Sequence, residues 1–222
     1  MKTLEVAAGT AEGRLGVAVA DARERLLARA RREGLAAVGY ARIDSPLGPL
    51  WIAVGPRGVV VIHYGAEPSE TELRRVVRTY GPGVVPDARR TAPLARELDE
   101  YFRGRRRAFD LEVDLSALTP FQRSVLGATA KVGYGELLTY RTIAKRTGNE
   151  RASRATGGAL GRNPIAIVVP CHRIVASDGS LGGYSGGLEA KRALLALERA
   201  GDVPEGGWVP AKLRGSPTPD AR

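Results

Sequence analysis

Residues 139–161 read TYRTIAKRTGNERASRATGGALG, and the organisation of the chain can be worked out from this stretch. Thr139 can cap a short helix from Tyr140 to Arg146, because its hydroxyl can accept from an orphan backbone N–H of the first turn. Thr147-Gly148-Asn149 then reads as a tight turn. A second helix is predicted from Glu150 to about Gly161. A short helix, a three-residue turn containing glycine and another helix are the outline of a helix-turn-helix. Gly157 and Gly158 fall inside the second helix, where each glycine costs about 1 kcal/mol against alanine. Close approach of another surface would account for the pair. A strand packed inside the protein and a nucleic-acid groove both fit. Arg154 lies on the same helix as a candidate wedge or phosphate ligand.

Downstream, Ile165 to Val169 is an uninterrupted apolar run and reads as a buried strand. It leads directly into Pro170-Cys171-His172-Arg173. Leu181 to Gly187 is a glycine-rich loop. Leu188 to Ala200 is predicted helical, with Leu194, Leu195 and Leu197 on or near its apolar face. Residues 201–222 are rich in Pro and Gly and are expected to fray.

Upstream, Thr119-Pro120 is an N-cap followed by proline at the first helical position. It opens a helix to about Lys131, which Gly133-Tyr134-Gly135 breaks. Earlier still the period is strand-like. Val38 to Ile43, Leu50 to Val54 and Val59 to His63 are three short β runs with turn signals between them, the pattern of an antiparallel meander. Ser69 with Glu72 forms a capping box for a helix ending near Tyr80-Gly81. Pro82 to Arg90 reads as a loop and about Pro93 to Phe102 as a helix. Phe109, Leu111, Val113 and Leu115 alternate with acids, as in a half-buried strand or an extended linker. Val19 to Glu33 fits an amphipathic helix with Leu26 and Leu27 on its apolar side.

The expected fold class is therefore α+β. Residues 1–36 are an extension, and 37–116 a small α/β domain with an antiparallel sheet. Residues 117–200 form a mostly helical domain with the helix-turn-helix and an active-site strand, and 201–222 a flexible tail.

Composition narrows the function. The 222 residues are 43% apolar and carry a formal charge of +10, from 34 Lys and Arg against 24 Asp and Glu. A basic balance favours a polyanionic partner. Between Thr119 and Val175 there are nine basic residues and two acids, so most of the excess sits here. A single cysteine excludes an intrachain disulfide and a multi-cysteine zinc site, and suits a reducing cytoplasm. No stretch reads as a membrane span or a cleaved leader, so no membrane partner and a cytoplasmic location are expected.

That one cysteine, Cys171, is followed by His172, and Glu198 lies on the last helix. A thiol is mostly protonated at neutral pH and attacks only as thiolate. On an extended backbone neighbouring side chains point apart, so direct contact needs a bend, and a bridging water is the other route. With Glu198 holding one tautomer, an acid–imidazole–thiol relay would lower the effective pKa of Cys171. The plainer reading is an inert buried cysteine beside a surface histidine.

The residues then reach a known pattern. Pro170-Cys171-His172-Arg173-Ile174-Val175 resembles the active-site signature of the O6-alkylguanine-DNA alkyltransferases. The resemblance runs from Thr119-Pro120-Phe121-Gln122 through Tyr140, Arg154 to Ala159 and Asn163-Pro164. It continues to Gly182-Gly183-Tyr184-Ser185-Gly186-Gly187, Lys191 and Leu194 to Glu198, about 80 residues in register. It implies that Cys171 is the alkyl acceptor, with His172 its base through a water and Glu198 orienting the imidazole. Asn163 would brace the turn between the recognition helix and the active-site strand. Arg154 would take the place of an extruded guanine. Tyr140 would crowd a phosphate and donate a proton toward the leaving base.

The resemblance also implies that Tyr184 and Ser185, with Ile174, Val169 and Pro170, line the base pocket, Ser185 bonding at O6. Arg151, Ser153, Ala155, Gly157, Gly158 and Arg162 would meet DNA beside Arg154 and Tyr140. The partner implied is double-stranded DNA containing O6-alkylguanine, entered from the minor groove by a monomer, with O4-alkylthymine a further candidate substrate. No cofactor and no metal are implied, and His63 reads as structural. The sequence departs from the family at Leu126, where a tryptophan is common, and at Val132-Gly133, where Ile-Pro is. A lesion-flagging alkyltransferase-like protein is the alternative, but such relatives lack the cysteine. A cysteine hydrolase leaves Arg154 and Tyr140 unused, and a transcription factor leaves Cys171, His172 and Glu198 unused.

Overall fold

The computed structural model describes residues 17–200 other than 20, 23 and 31. The expectations for residues 1–16 and 201–222 lie outside the described residues. The described residues between 17 and 32 are helical, and we label them α1. Leu26 is exposed rather than packed.

Three strands, β1 (Val38–Ile43), β2 (Leu50–Gly55) and β3 (Gly58–Tyr64), form the expected antiparallel meander. The stretch expected to be loop instead holds a fourth strand, β4 (Val84–Pro86), parallel to β1, giving the order β3-β2-β1-β4. Pro86 can sit there because β4 is an edge, where a missing N–H breaks no ladder. Strand alternation divides the apolar residues. Leu50 and Ile52 face the main core, while Trp51 and Ala53 face a smaller cluster with Val76. Val76 belongs to α2 (Glu70–Tyr80), which starts at the expected Ser69–Glu72 capping box.

Helix α3 runs Ala88–Phe102, one turn longer than its sequence suggests. Asp87 accepts from Arg90 N–H and caps it, and Pro93 is tolerated inside. Leu94, Leu98, Tyr101 and Phe102 recur at helical spacing and enter the main core. Residues 109–115 are extended rather than a strand of the sheet. They contact the edge of β3, where Val59 N–H donates to Glu112 O at 2.8 Å.

The helical half begins as expected, with α4 (Pro120–Ala130) on a Thr119–Gln122 capping box. Leu126 and Val132 are both buried, so the two departures from the family pattern still fill the core. Helix α5 (Tyr140–Arg146) is capped by Thr139. The recognition segment is shorter than expected. A 3-10 turn, Glu150–Ala152, precedes α6 (Ser153–Leu160). Helix α7 is Gly187–Ala200. The main core runs unbroken from Leu50 and Leu98 to Leu126, Ile143, Ile174 and Leu194, so both halves share it.

The expected active-site strand is not a strand. Residues 165–169 fold into a tight turn in which Val169 N–H donates to Ile165 O at 2.9 Å. Ile167 is fully buried with φ of 75°, a conformation that costs a β-branched residue about 1–3 kcal/mol. One backbone bond ties this turn to the sheet, from Ile62 N–H to Pro164 O at 2.8 Å. Cys171–Arg173 then forms a 3-10 turn. Beyond it the short strand β6 (Ile174–Val175) pairs in parallel with β5 (Leu138–Thr139), tying the start of α5 to the cysteine segment.

Candidate active site and nucleic-acid interface

Asn163 organises the turn before Cys171. Its Oδ1 accepts from Ile165 N–H at 3.0 Å, and its Nδ2 donates to Val169 O at 2.8 Å and to Cys171 Sγ at 3.1 Å. One buried amide therefore fixes both ends of a strained turn and touches the sulfur it presents. The bend at Cys171–Arg173 removes the up-and-down alternation that would hold Cys171 and His172 apart.

His172 is fully buried, and its Nε2 lies 2.8 Å from Glu198 Oε1. Burial works against a charged Glu198. Hydrogen bonds from His172 and Arg173 outweigh it and hold the carboxyl at about 2. An ionised carboxylate only accepts, so Nε2 carries the proton and Nδ1 holds the free lone pair. Nδ1 is buried with no protein hydrogen-bond partner. Burial also holds the imidazole's pKa down, so the ring is neutral, with Nδ1 as its acceptor.

The relay does not lower the pKa of Cys171. Burial pushes the thiol up to about 11, more than the Asn163 amide and the Lys191 charge pull it down. The thiol is thus neutral at rest, and its proton must leave during the reaction.

Arg173 belongs to this centre and not to the basic face. It is buried, donates to Glu198 through Nε and Nη2, and donates through Nη1 to Val132 O at 2.5 Å. Three further contributors carry no local sequence signal for such contacts. Tyr101 O–H donates to Glu198 Oε1 at 2.8 Å, and Gly135 N–H donates to Oε2 at 3.0 Å. Lys191, fully buried, donates to Ile174 O at 2.6 Å and also to Leu181 O, pinning the glycine loop to β6. Burial lowers its pKa to about 8.

A cavity of about 560 Å³ reaches Cys171, itself 5% exposed, between the helix-turn-helix and the glycine loop. Tyr140, Ser153, Arg154, Gly157, Tyr184 and Ser185 line it together. Ile174, Val169 and Pro170, expected in this pocket, do not line it. All three are buried, and Ile174 and Val169 belong to the main core. Leu160, Ala176 and Ser177 take their place. Tyr184 is fixed from the sheet half, its hydroxyl 2.7 Å from that of Tyr64 on β3.

Outside the cavity Arg151, Ala155, Gly158 and Arg162 are exposed, as is Arg154 at its wall. Internal packing does not require the glycine pair. A Cβ on Gly157 would meet the Tyr140 ring at 3.7 Å, and one on Gly158 would meet only Arg162 Nη1 at 3.7 Å. Arg141 is partly neutralised by Glu150, with Nε to Oε1 of 2.6 Å. His63 pairs through Nδ1 with Glu72 at 2.7 Å, a contact within the sheet half. Among the described residues no group of three or more His, Cys, Asp or Glu could hold a metal. No described helix is long and apolar enough to cross a membrane.

Fold and site define a protein that stands a helix-turn-helix over a single buried thiol, with a mixed sheet packed behind. Residues 120–200 match the DNA binding domain of 6-O-methylguanine DNA methyltransferase, and residues 38–115 match its ribonuclease-like domain. The chain belongs to this family. It is 43% identical over 165 residues to the methylated-DNA–protein-cysteine methyltransferase of Mycolicibacterium paratuberculosis, covering 73% of this chain and 93% of that one. It is 38% identical over 159 residues to the protein of that name from Methanosarcina acetivorans, covering 72% and 97%. Among solved structures it resembles Mycobacterium tuberculosis OGT in complex with DNA. There the TM-score is 0.65 at 37% identity, over 79% of this chain and 97% of the other.

Proposed function

We propose that this protein repairs DNA by moving an alkyl group from O6 of guanine to Cys171, once per molecule. One observation carries the reading: a cavity walled by Arg154, Tyr140 and Tyr184 ends at a sole cysteine backed by Asn163, His172 and Glu198. In this reading residues 37–116 support the site, and residues 117–200 bind DNA and carry the thiol.

The chemistry follows from the groups present. His172 Nδ1 takes the Cys171 proton by way of a bridging water, and Glu198 stabilises the imidazolium that forms. Asn163 Nδ2 donates to the developing thiolate. Sulfur attacks the alkyl carbon in line as the C–O6 bond breaks, and that electron pair goes to guanine. Tyr140 O–H gives guanine a proton, which eases its departure, and the imidazolium proton passes by way of solvent to the Tyr140 phenolate, restoring both groups. The S–C bond is a stable thioether. With one cysteine in the chain no second thiol releases the group, so turnover stops at one.

The lesion lies inside the duplex, so the base must leave the stack, at a cost of a few kcal/mol. Arg154 fills the gap, and Gly157 and Gly158 let the α6 backbone approach the sugar-phosphate chain from the minor groove. The minor groove carries little sequence information, which suits a protein that meets damage in any context. Tyr184 and Ser185 hold the extruded base, Ser185 at O6, with O4-alkylthymine a second substrate. The protein acts as a monomer in the cytoplasm, without metal or cofactor. A lesion-flagging role would leave the contacts on Cys171 and His172 without a task.

The test is dose dependence. A duplex whose restriction site is blocked by O6-methylguanine regains cleavage in proportion to protein added, one site per molecule. Restoration that continues past one equivalent would contradict the scheme.

A further inference from the structure

The Glu198 carboxylate draws donors from three separate parts of the chain. His172 Nε2 and Arg173 Nη2 each lie 2.8 Å from Oε1. Gly135 N–H and Arg173 Nε each lie 3.0 Å from Oε2. The third part is the sheet half. Tyr101, on α3 and 97 residues earlier in the chain, donates its hydroxyl proton to Oε1 at 2.8 Å. The ring cannot swing away. It is fully buried, with Phe102, Phe109 and Tyr134 at centroid distances of 5.6, 5.4 and 6.1 Å.

A buried tyrosine hydroxyl needs a partner, and packing alone would explain the contact if Glu198 were otherwise short of donors. It is not, because Arg173 already neutralises the carboxylate and fills both oxygens. Tyr101 is instead an extra donor on the same oxygen that accepts from His172. Hydrogen bonds to a carboxylate spread its charge, and each added donor weakens its pull on the others.

We propose that Tyr101 is a positioning residue of the base system, fixing Glu198 Oε1 and tempering its pull on His172. The sheet half thereby sets the basicity of the imidazole. The task assigned to His172 rests on the alkyl-transfer reading, whereas the coupling from Tyr101 to Glu198 to His172 does not. The other groups bearing on His172 are Arg173 from its own turn, Lys191 from α7, the adjacent Cys171, and the Tyr184 ring edge-on at 6.3 Å. Tyr101 itself is faced by Glu198, Arg173 and Tyr134. Deleting the Tyr101 hydroxyl removes its bond to Glu198 and leaves the contacts on His172 in place.

The variant Tyr101→Phe in the full chain keeps the ring and leaves Glu198 its His172, Arg173 and Gly135 contacts, so the fold is retained. The chain has two histidines, which makes ¹⁵N-histidine NMR readable, with His63→Gln assigning the second signal. With one donor fewer, Oε1 pulls harder on Nε2–H. His172 should then protonate about half to one pH unit higher than in the parent protein. The acid limb of the single-turnover transfer rate should move with it by the same half to one unit, giving a loss of up to about three- to tenfold on the acid side of the parent's limb and little change at pH 8.5. A His172 titration and an acid limb that both stay in place would overturn the proposal. So would an equal loss of rate at every pH, which marks a packing role alone. If the parent protein transfers nothing while His172 still shifts in the variant, the coupling stands and the alkyl-transfer reading fails.

Discussion

Helix α6 and the Glu198 cluster are both rich in charge, and they are built on opposite terms. On α6 and beside it, Arg151, Arg154 and Arg162 are exposed, and no ion pair ties them to a described residue. Around Glu198, the carboxylate, Arg173 and His172 are all buried, and each is held by another part of the protein. Charge left facing solvent is free for an outside partner, whereas charge folded inward serves geometry and proton affinity. The same residue type, arginine, does both, and only burial separates Arg154 from Arg173.

Breaking the buried side should have the largest effect. Glu198→Ala leaves Arg173 buried without its partner and frees His172 to turn. We expect a stability loss of about 3–5 kcal/mol and transfer reduced by at least about 10²-fold, read by denaturant melts and single-turnover rates. Acid should produce a milder form of the same loss. Glu198 is held below its ordinary 4.5, so its contribution is complete above that pH and fades as pH falls toward about 2. His172 is held below its ordinary 6.5, so protonation in the unfolded chain also favours unfolding as pH drops through that range.

The exposed side should respond through binding instead. Arg154→Ala should keep stability within about 0.5 kcal/mol. It should slow repair in duplex DNA about tenfold, equivalent to 1.4 kcal/mol, more than repair in single strands. Equal losses on both substrates would remove the wedge role. The thiol gives a third contrast. With Cys171 pushed up to about 11, iodoacetamide labelling of this single cysteine should rise about tenfold per pH unit from pH 7 to 9.5. A plateau already reached at pH 8 would show a preformed thiolate. The smallest effect sharpens the comparison most. Gly158→Ala meets no protein obstacle, so stability should hold or rise by up to about 1 kcal/mol while DNA affinity falls. Unchanged affinity in a DNA titration would clear α6 of close backbone approach.

The two sides also differed in how far the sequence revealed them. Caps and turns are local, so Thr119, Thr139, Ser69 and the helix-turn-helix were legible from side-chain chemistry a few residues apart. The run Ile165–Val169 misled because apolar composition marks burial, not extension. The amide of Asn163 winds it into a turn, and β3 supplies only one backbone bond beside it. Arg173 counts toward the basic excess of residues 119–175 when only the sequence is read, because its partner lies 25 residues away on another element. Tyr101 and Tyr64 reach the site across 97 and 120 residues, and no periodicity encodes such a contact. Cys171 was legible as the candidate nucleophile, but its raised pKa was not, because desolvation is a property of the assembled core.

The central claim is that Cys171 is the acceptor. Intact-protein mass spectrometry after incubation with an O6-methylguanine duplex, followed by peptide mapping, tests it directly. The account expects one added methyl group per chain, located on Cys171, and none in Cys171→Ala, which should still bind the duplex. An unmodified protein that binds the lesion tightly, or a methyl group on any other residue, would contradict it.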